Sequence, residues 1–94
     1  RVMGEYFRDQ MHKVIEKNHP AAVKEIRGLG LIDGIELNHP SGQPVVDLCF
    51  KDSNVLINNT NGNVLRFVPP LIVNEQEIDI VIKAVDDAMT KLGW

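Results

Sequence analysis

The segment that most constrains the fold is a β-hairpin pattern in the third quarter of the chain. Strands are predicted at residues 54–59 and 63–68, joined through Asn61-Gly62, a dipeptide that favours tight hairpin turns. The second stretch carries four apolar residues around a single arginine. Pro69-Pro70 follows and ends it, because proline has no N–H to donate to a strand ladder.

Helices are predicted on both sides of this hairpin. Residues 1–18 form an amphipathic pattern, in which Ile15 widens a stripe of Met3, Phe7, Met11 and Val14. A short helix is expected from about 44 to 51, with Pro44 in its first turn. Residues 75–92 give the clearest helix, and Asn74 and Glu77 before its apolar stripe have the spacing of a capping box.

Two further strands are predicted at residues 22–28 and 29–37. In the second, Gly34 and Glu36 share one face, and the glycines at 30 and 34 suggest a bulge or a close backbone approach there. Asp33 lies among apolar residues, and an exposed or edge position is expected because a buried aspartate would need a partner. The order of elements predicts a single α+β domain over residues 1–94, a small, mostly antiparallel sheet with helices packed on one face.

Charge and composition exclude several classes of function. The net charge of −3 gives no basic surface for a nucleic acid partner, and no apolar run approaches the roughly 20 residues of a membrane span. Cys49 is the single cysteine, so no intrachain disulfide can form, and a reducing, cytoplasmic location is expected. The chain starts with a helical pattern already under way, and we expect it to be a piece of a larger protein.

Arg66 is the first candidate for a functional residue. In an extended strand it shares a face with Val64 and Val68, while Leu65 and Phe67 point to the other side. A guanidinium matches a carboxylate with two parallel hydrogen bonds, so Arg66 suits an amino-acid or dicarboxylate substrate. The alternative is an arginine on an edge strand whose head reaches water.

Other polar groups make weaker candidates. Thr60 and Gly62 lie at the hairpin tip, where a polar turn could contact a ligand, although turn geometry alone explains these residue types. His12 and Glu16 have i, i+4 spacing on a helix, but no third ligand accompanies them, so no metal site is expected. None of the lysines has the surroundings of a buried Schiff-base amine; those considered are Lys13, Lys24, Lys51, Lys83 and Lys91.

Two stretches together resemble one family. They are residues 23–37, with Arg27-Gly28-Leu29-Gly30-Leu31, and residues 55–71, with Leu65-Arg66-Phe67-Val68-Pro69-Pro70-Leu71. Both are similar to the C-terminal small domain of class III aminotransferases, which use pyridoxal phosphate, and the nearest subgroup is acetylornithine aminotransferase. The similarity covers nearly the whole chain.

The resemblance implies a homodimeric fold-type I enzyme whose large domain, absent here, holds the cofactor lysine. It implies that Arg66 binds the substrate α-carboxylate, with Thr60 and Gly62 in the polar turn beside it and no catalytic residue in this chain. The fragment alone is then expected to be inactive. Related enzymes for ornithine, 4-aminobutyrate or succinylornithine, and a stand-alone amino-acid-binding module or dimerisation domain, are the alternatives.

Overall fold

The computed structural model describes residues 2–29, 32–60, 62–67 and 74–94. The elements in chain order are α1 (Val2–Gln10), which continues as a π-helical segment (Met11–Glu16), β1 (Val23–Leu29), β2 (Ile32–Leu37), α2 (Gln43–Ser53), β3 (Asn58–Thr60), β4 (Val64–Phe67) and α3 (Glu75–Leu92). This order of helix, two strands, helix, hairpin and helix is the predicted one.

The strands form one four-stranded sheet in the order β1-β2-β4-β3, and each neighbouring pair is antiparallel. β2 and β4 are therefore interior strands. Asp33 on β2 lies opposite Gly28 on one side and Phe67 on the other, so the edge position considered for it is wrong. The side chain of Asp33 lies outside the described residues.

The helices pack on one face of this sheet, as predicted. α1 lies over β1 and β2, α2 lies beside β3, and α3 packs against both other helices. One continuous core fills the layer between helices and sheet, and in it the rings of Phe7 and Phe67 meet edge to face with centroids 5.1 Å apart. Fold class and architecture are thus those expected from the sequence.

The first helix differs from the prediction in which residues it buries. Phe7, Met11 and Ile15 are fully buried, at every fourth position. In an α-helix of about 3.6 residues per turn this spacing drifts around the axis, and the wider turns of the π-helical segment offset the drift. Ile15 therefore takes the core position, and Val14, placed in the stripe by the α-helical pattern, lies partly exposed at the margin of the core.

The first strand of the predicted hairpin is shorter and later than expected, Asn58–Thr60 in place of 54–59. The backbone N–H of Val55 donates to the carbonyl of Cys49 at 3.0 Å, after Asn54 turns with a φ of 57°. The residues that directly follow α2 are thus hydrogen-bonded to the end of that helix and do not pair with β4. Val55 and Ile57 instead bury their side chains in the core.

α3 begins and ends where the sequence predicts. The side-chain oxygen of Asn74 accepts a hydrogen bond from the backbone N–H of Glu77 at 2.8 Å, which satisfies one of the unpaired donors of the first turn. Gly93, with a φ of 77°, follows the last residue of the helix. No helix in the described ranges combines the length and apolar character that crossing a membrane requires.

Candidate functional site

The candidate site lies on the sheet face opposite the helices, here called the open face. By strand register it carries Gly34 and Glu36 from β2, Asn58 and Thr60 from β3, and Val64 and Arg66 from β4.

Arg66 lies on an interior strand of the sheet. Leu65 and Phe67 on either side of it are buried in the core, while Val64 and Arg66 are only partly buried. The predicted alternation is confirmed for residues 64–67, and Val68 lies outside the described residues. The edge-strand alternative for Arg66 is wrong, because β4 is paired with β2 and with β3.

Two residues lie directly opposite Arg66, Gly34 on β2 and Asn58 on β3. A Cβ atom at Gly34 would lie 3.1 Å from the carbonyl oxygen of Leu65, so the close backbone approach predicted for this glycine is confirmed. Gly34 contributes no side chain next to the arginine, where any other residue would place a Cβ about 4.5–5.5 Å away. Asn58 is exposed on the other side.

The Arg66 guanidinium forms no hydrogen bond or ion pair with another residue that the structure describes. A partly buried guanidinium keeps five N–H donors to satisfy, in a planar fork that fits a carboxylate. The chemistry available at this point is therefore the binding and orientation of an anion.

A cross-strand ion pair lies next to Arg66. The Lys24 Nζ is 3.6 Å from the Glu36 Oε2, and the Glu36 side chain is only 14% exposed. Lys24 occupies a bulge in β1, since the register with β2 shifts between Val23 and Glu25. The sequence did not single out this pair, because the bulge that aims Lys24 at Glu36 has no signature in a run without glycine or proline.

The hairpin turn places Thr60 on the open face, and Gly62 has a role in the geometry of the turn itself. Thr60 lies opposite Val64 at the end of β3. Gly62 has a φ of 80°, and its carbonyl accepts a hydrogen bond from the N–H of Gly42 at 2.8 Å. This geometry explains the glycine, while substrate contacts of Thr60 and Gly62 stay predictions.

Asn63 next to this turn extends the sheet. Its carbonyl accepts from the N–H of Leu37 at 2.8 Å, and its side-chain amide donates back to the carbonyl of Leu37 at 3.0 Å. Because both bonds tie β4 to the end of β2, the strand that carries Arg66 is fixed in register against its neighbour.

The described residues do not fit pyridoxal phosphate. The cofactor needs an amine that desolvation or a neighbouring cation makes nucleophilic. Every lysine considered is exposed, and four of the five form surface ion pairs: Lys13 with Asp9, Lys24 with Glu36, Lys83 with Asp87 and Lys91 with Asp52. None of these five lysines therefore has the surroundings that a covalent cofactor site requires.

The helical layer holds a groove away from Arg66. It has a volume of about 370 Å³ and lies between α1 and α3, next to the hydrogen bond that the Tyr6 hydroxyl donates to Asp79 at 2.7 Å. This bond, with burial and nearby carboxylates adding to it, raises the pKa of Tyr6 to about 12. On the same layer His12 contacts Glu16 at 2.7 Å, and the described part of the chain holds no group of three such residues that could bind a metal.

Comparisons with known proteins agree with the fold. The class III aminotransferase family model matches residues 1–89. An acetylornithine aminotransferase from Caldanaerobacter subterraneus subsp. tengcongensis is 43% identical over 91 residues, which are 97% of this chain and 22% of that protein. An ornithine aminotransferase from Staphylococcus epidermidis is 37% identical over 83 residues, covering 88% of this chain and 19% of that protein.

The solved structure of a lysine aminotransferase from M. tuberculosis matches with a TM-score of 0.84 and 28% identity, over 95% of this chain and 20% of that one. The chain thus spans about a fifth of the length of the proteins it matches. Because the family model covers nearly every residue and the fold agrees with a solved relative, the chain belongs to the class III aminotransferases.

Proposed function

We propose that this chain is the C-terminal small domain of a pyridoxal-phosphate-dependent aminotransferase, and that it binds the substrate carboxylate through Arg66. Family membership supports the reaction class. The small share of each relative that the chain covers supports a larger, cofactor-binding domain elsewhere in the protein. In the intact enzyme, a homodimer in this proposal, that domain would hold the cofactor, which supplies the chemistry of amino-group transfer.

The observation that carries the proposal is the environment of Arg66. Its guanidinium lies partly buried on the open face, without a partner among the described residues, opposite a glycine that has no side chain to cover it. An arginine held by an interior strand has little freedom of backbone position. A carboxylate bound to it in bidentate fashion would therefore be oriented as well as attracted.

Acetylornithine with 2-oxoglutarate, the pair used in arginine biosynthesis, is the substrate pair we favour, because a 43% identical relative is named for acetylornithine. Ornithine is the second candidate, since a 37% identical relative is named for it. Amino-transfer rates of the intact enzyme with acetylornithine, ornithine, 4-aminobutyrate and succinylornithine would separate these donors. We expect kcat/KM to be highest for acetylornithine. A higher kcat/KM for another donor would make that donor the proposed substrate instead.

The decisive variant is Arg66→Ala in the intact enzyme. We expect KM to rise for both the amino donor and the 2-oxo acid, because both carry a carboxylate. The rise should be about tenfold or more, since charge-assisted hydrogen bonds are worth about 1.5–3 kcal/mol. The absorbance of the bound cofactor should not change. Lys51→Ala, which removes an exposed cation from α2, is the matched control and should leave both KM values at wild type.

Unchanged KM values in Arg66→Ala would contradict the proposal. A stand-alone amino-acid-binding module makes a different prediction, namely that the 94-residue chain binds glutamate or acetylornithine by itself. Micromolar binding in calorimetry of the isolated chain would favour that alternative.

A further inference from the structure

We propose that Asn58 is a second substrate-binding residue, whose side-chain amide donates a hydrogen bond to the carboxylate that Arg66 binds. The inference rests on the carboxylate-binding role proposed for Arg66. It extends that site by one strand, to β3 at the edge of the sheet. The sequence pattern gave Asn58 no role.

Strand register places Asn58 beside Arg66. The residues directly opposite Arg66 are Gly34 on β2 and Asn58 on β3, and Gly34 has no side chain. Directly opposite residues of an antiparallel pair point to the same face, with their Cβ atoms about 4.5–5.5 Å apart. Thr60 lies opposite Val64 and is only a diagonal neighbour of Arg66, about 7–8 Å away. Asn58, and not Thr60, is therefore the nearer polar side chain of β3.

The side-chain amide of Asn58 is available to a ligand. It is exposed, and it forms no hydrogen bond with another residue in the described ranges. Asparagine is disfavoured in strands, where β-branched and aromatic side chains pack better. Four other asparagines use their side chains in hydrogen bonds within the fold, namely Asn18, Asn38, Asn63 and Asn74. No comparable bond among the described residues accounts for the asparagine at the start of β3.

An amide next to a guanidinium can complete the hydrogen bonding of a bound carboxylate. An ionised carboxylate has about four lone-pair positions, and a bidentate arginine occupies two of them. The Nδ2 of Asn58 carries two N–H donors that can reach a third. Because the amide is neutral, it adds a donor without competing with the substrate for Arg66. An aspartate at this position would compete, since opposite charges pair across neighbouring strands.

Two variants of the intact enzyme test this role. Asn58→Ala should raise KM for both substrates about two- to tenfold with kcat unchanged, the range expected for the loss of one hydrogen bond. Asn58→Asp should raise KM further, because its carboxylate pairs with Arg66 and repels the substrate. The inhibition constant of glutarate, a dicarboxylate without an amino or oxo group to transfer, should rise in the same order and reports binding without turnover.

A double variant shows whether Asn58 and Arg66 bind the same carboxylate. In an Arg66→Ala background, Asn58→Ala should change KM less than twofold, because the carboxylate is no longer held within reach of the amide. Gln76→Ala and Gln76→Glu are the matched controls, since they remove an exposed amide and add a negative charge on α3, in the layer opposite the open face. Both should keep the wild-type constants.

A wild-type KM in Asn58→Ala would overturn the inference, and so would the same fold-increase in KM in the presence and absence of the Arg66 side chain. A lower melting temperature of Asn58→Ala with unchanged KM would also overturn it, since this is the signature of a merely structural residue. Arg66→Ala separates the two levels of the argument. If it leaves KM unchanged, the proposed function itself fails; if it raises KM while Asn58→Ala does not, only the role of Asn58 fails.

Discussion

Gly42 shows how a single position can depend on contacts that its neighbours in sequence do not reveal. Its N–H donates to the carbonyl of Gly62, and a Cβ at Gly42 would lie 2.8 Å from both the Asn59 Oδ1 and the Leu65 Cδ2. Its φ of −91° is open to any residue, so sterics and not backbone conformation demand glycine. The Asn59 Oδ1 that it faces is buried, without a hydrogen-bond partner in the described part of the chain.

Gly42→Ala is expected to destabilise the chain by about 1–3 kcal/mol, the usual cost of overpacking a filled site. Urea unfolding followed by circular dichroism measures this. Gly93→Ala is the contrasting variant, because its φ of 77° is strained for alanine but its Cβ would meet nothing within 4 Å. This strain should lower the free energy of unfolding by about 1–2 kcal/mol, and it should affect mainly the C-terminal end of α3. An unchanged free energy of unfolding in Gly42→Ala would show that the loop around Gly42 moves aside freely.

At the scale of elements, α3 is determined mainly by its own sequence and α1 is not. α3 carries three local signals, namely an apolar stripe, the Asn74 cap and the glycine at its end, Gly93. The helix occupies the predicted residues. The π-helical segment after α1 depends on a core that must accept Phe7, Met11 and Ile15 along one line. Spacing alone predicted an α-helix there, because wider turns are favoured only by what the helix packs against.

Asn74→Ala should lower the free energy of unfolding by about 1 kcal/mol, because the backbone N–H of Glu77 loses its acceptor. Asn74→Asp should retain or slightly increase stability, since a carboxylate accepts the same bond and interacts favourably with the positive end of the helix. Gln76→Ala, an exposed position in the same turn, is the matched control. Equal unfolding midpoints for Asn74→Ala and the control would show that the cap contributes nothing.

At the scale of the whole molecule, the continuous core between helices and sheet changes the chemistry of the groups enclosed in it. Cys49 on α2 is fully buried. This burial, with Asp52 nearby, raises the pKa of its thiol from 9.0 to about 12. A buried thiol of this kind stays protonated and unreactive as long as the fold persists.

Stability should therefore fall as pH rises from about 9 to about 12. In this window the unfolded chain has released the Cys49 proton while the folded chain still holds it, so the unfolded state binds fewer protons and gains stability with pH. Urea unfolding at about pH 8 and about pH 11 measures the decline. It should be smaller in Cys49→Ala, although that variant starts from a lower stability because of the cavity it leaves. If the free energy of unfolding declines equally with pH in the wild-type chain and in Cys49→Ala, the raised pKa of Cys49 is not the cause.

The sequence by itself determined the order of elements, the extent of α3, the alternation that turns Arg66 away from the core, and the family. These follow from local spacing or from specific residue runs, which need no knowledge of distant contacts. Only the tertiary structure decided that β4 is interior, that Gly34 and Asn58 flank Arg66, and that Lys24 meets Glu36 across a bulge. Strand order, register and bulges arise from pairing between segments that are far apart in the chain. A single strand was enough to predict Arg66, but this long-range pairing decides which residues surround it and so what it can bind.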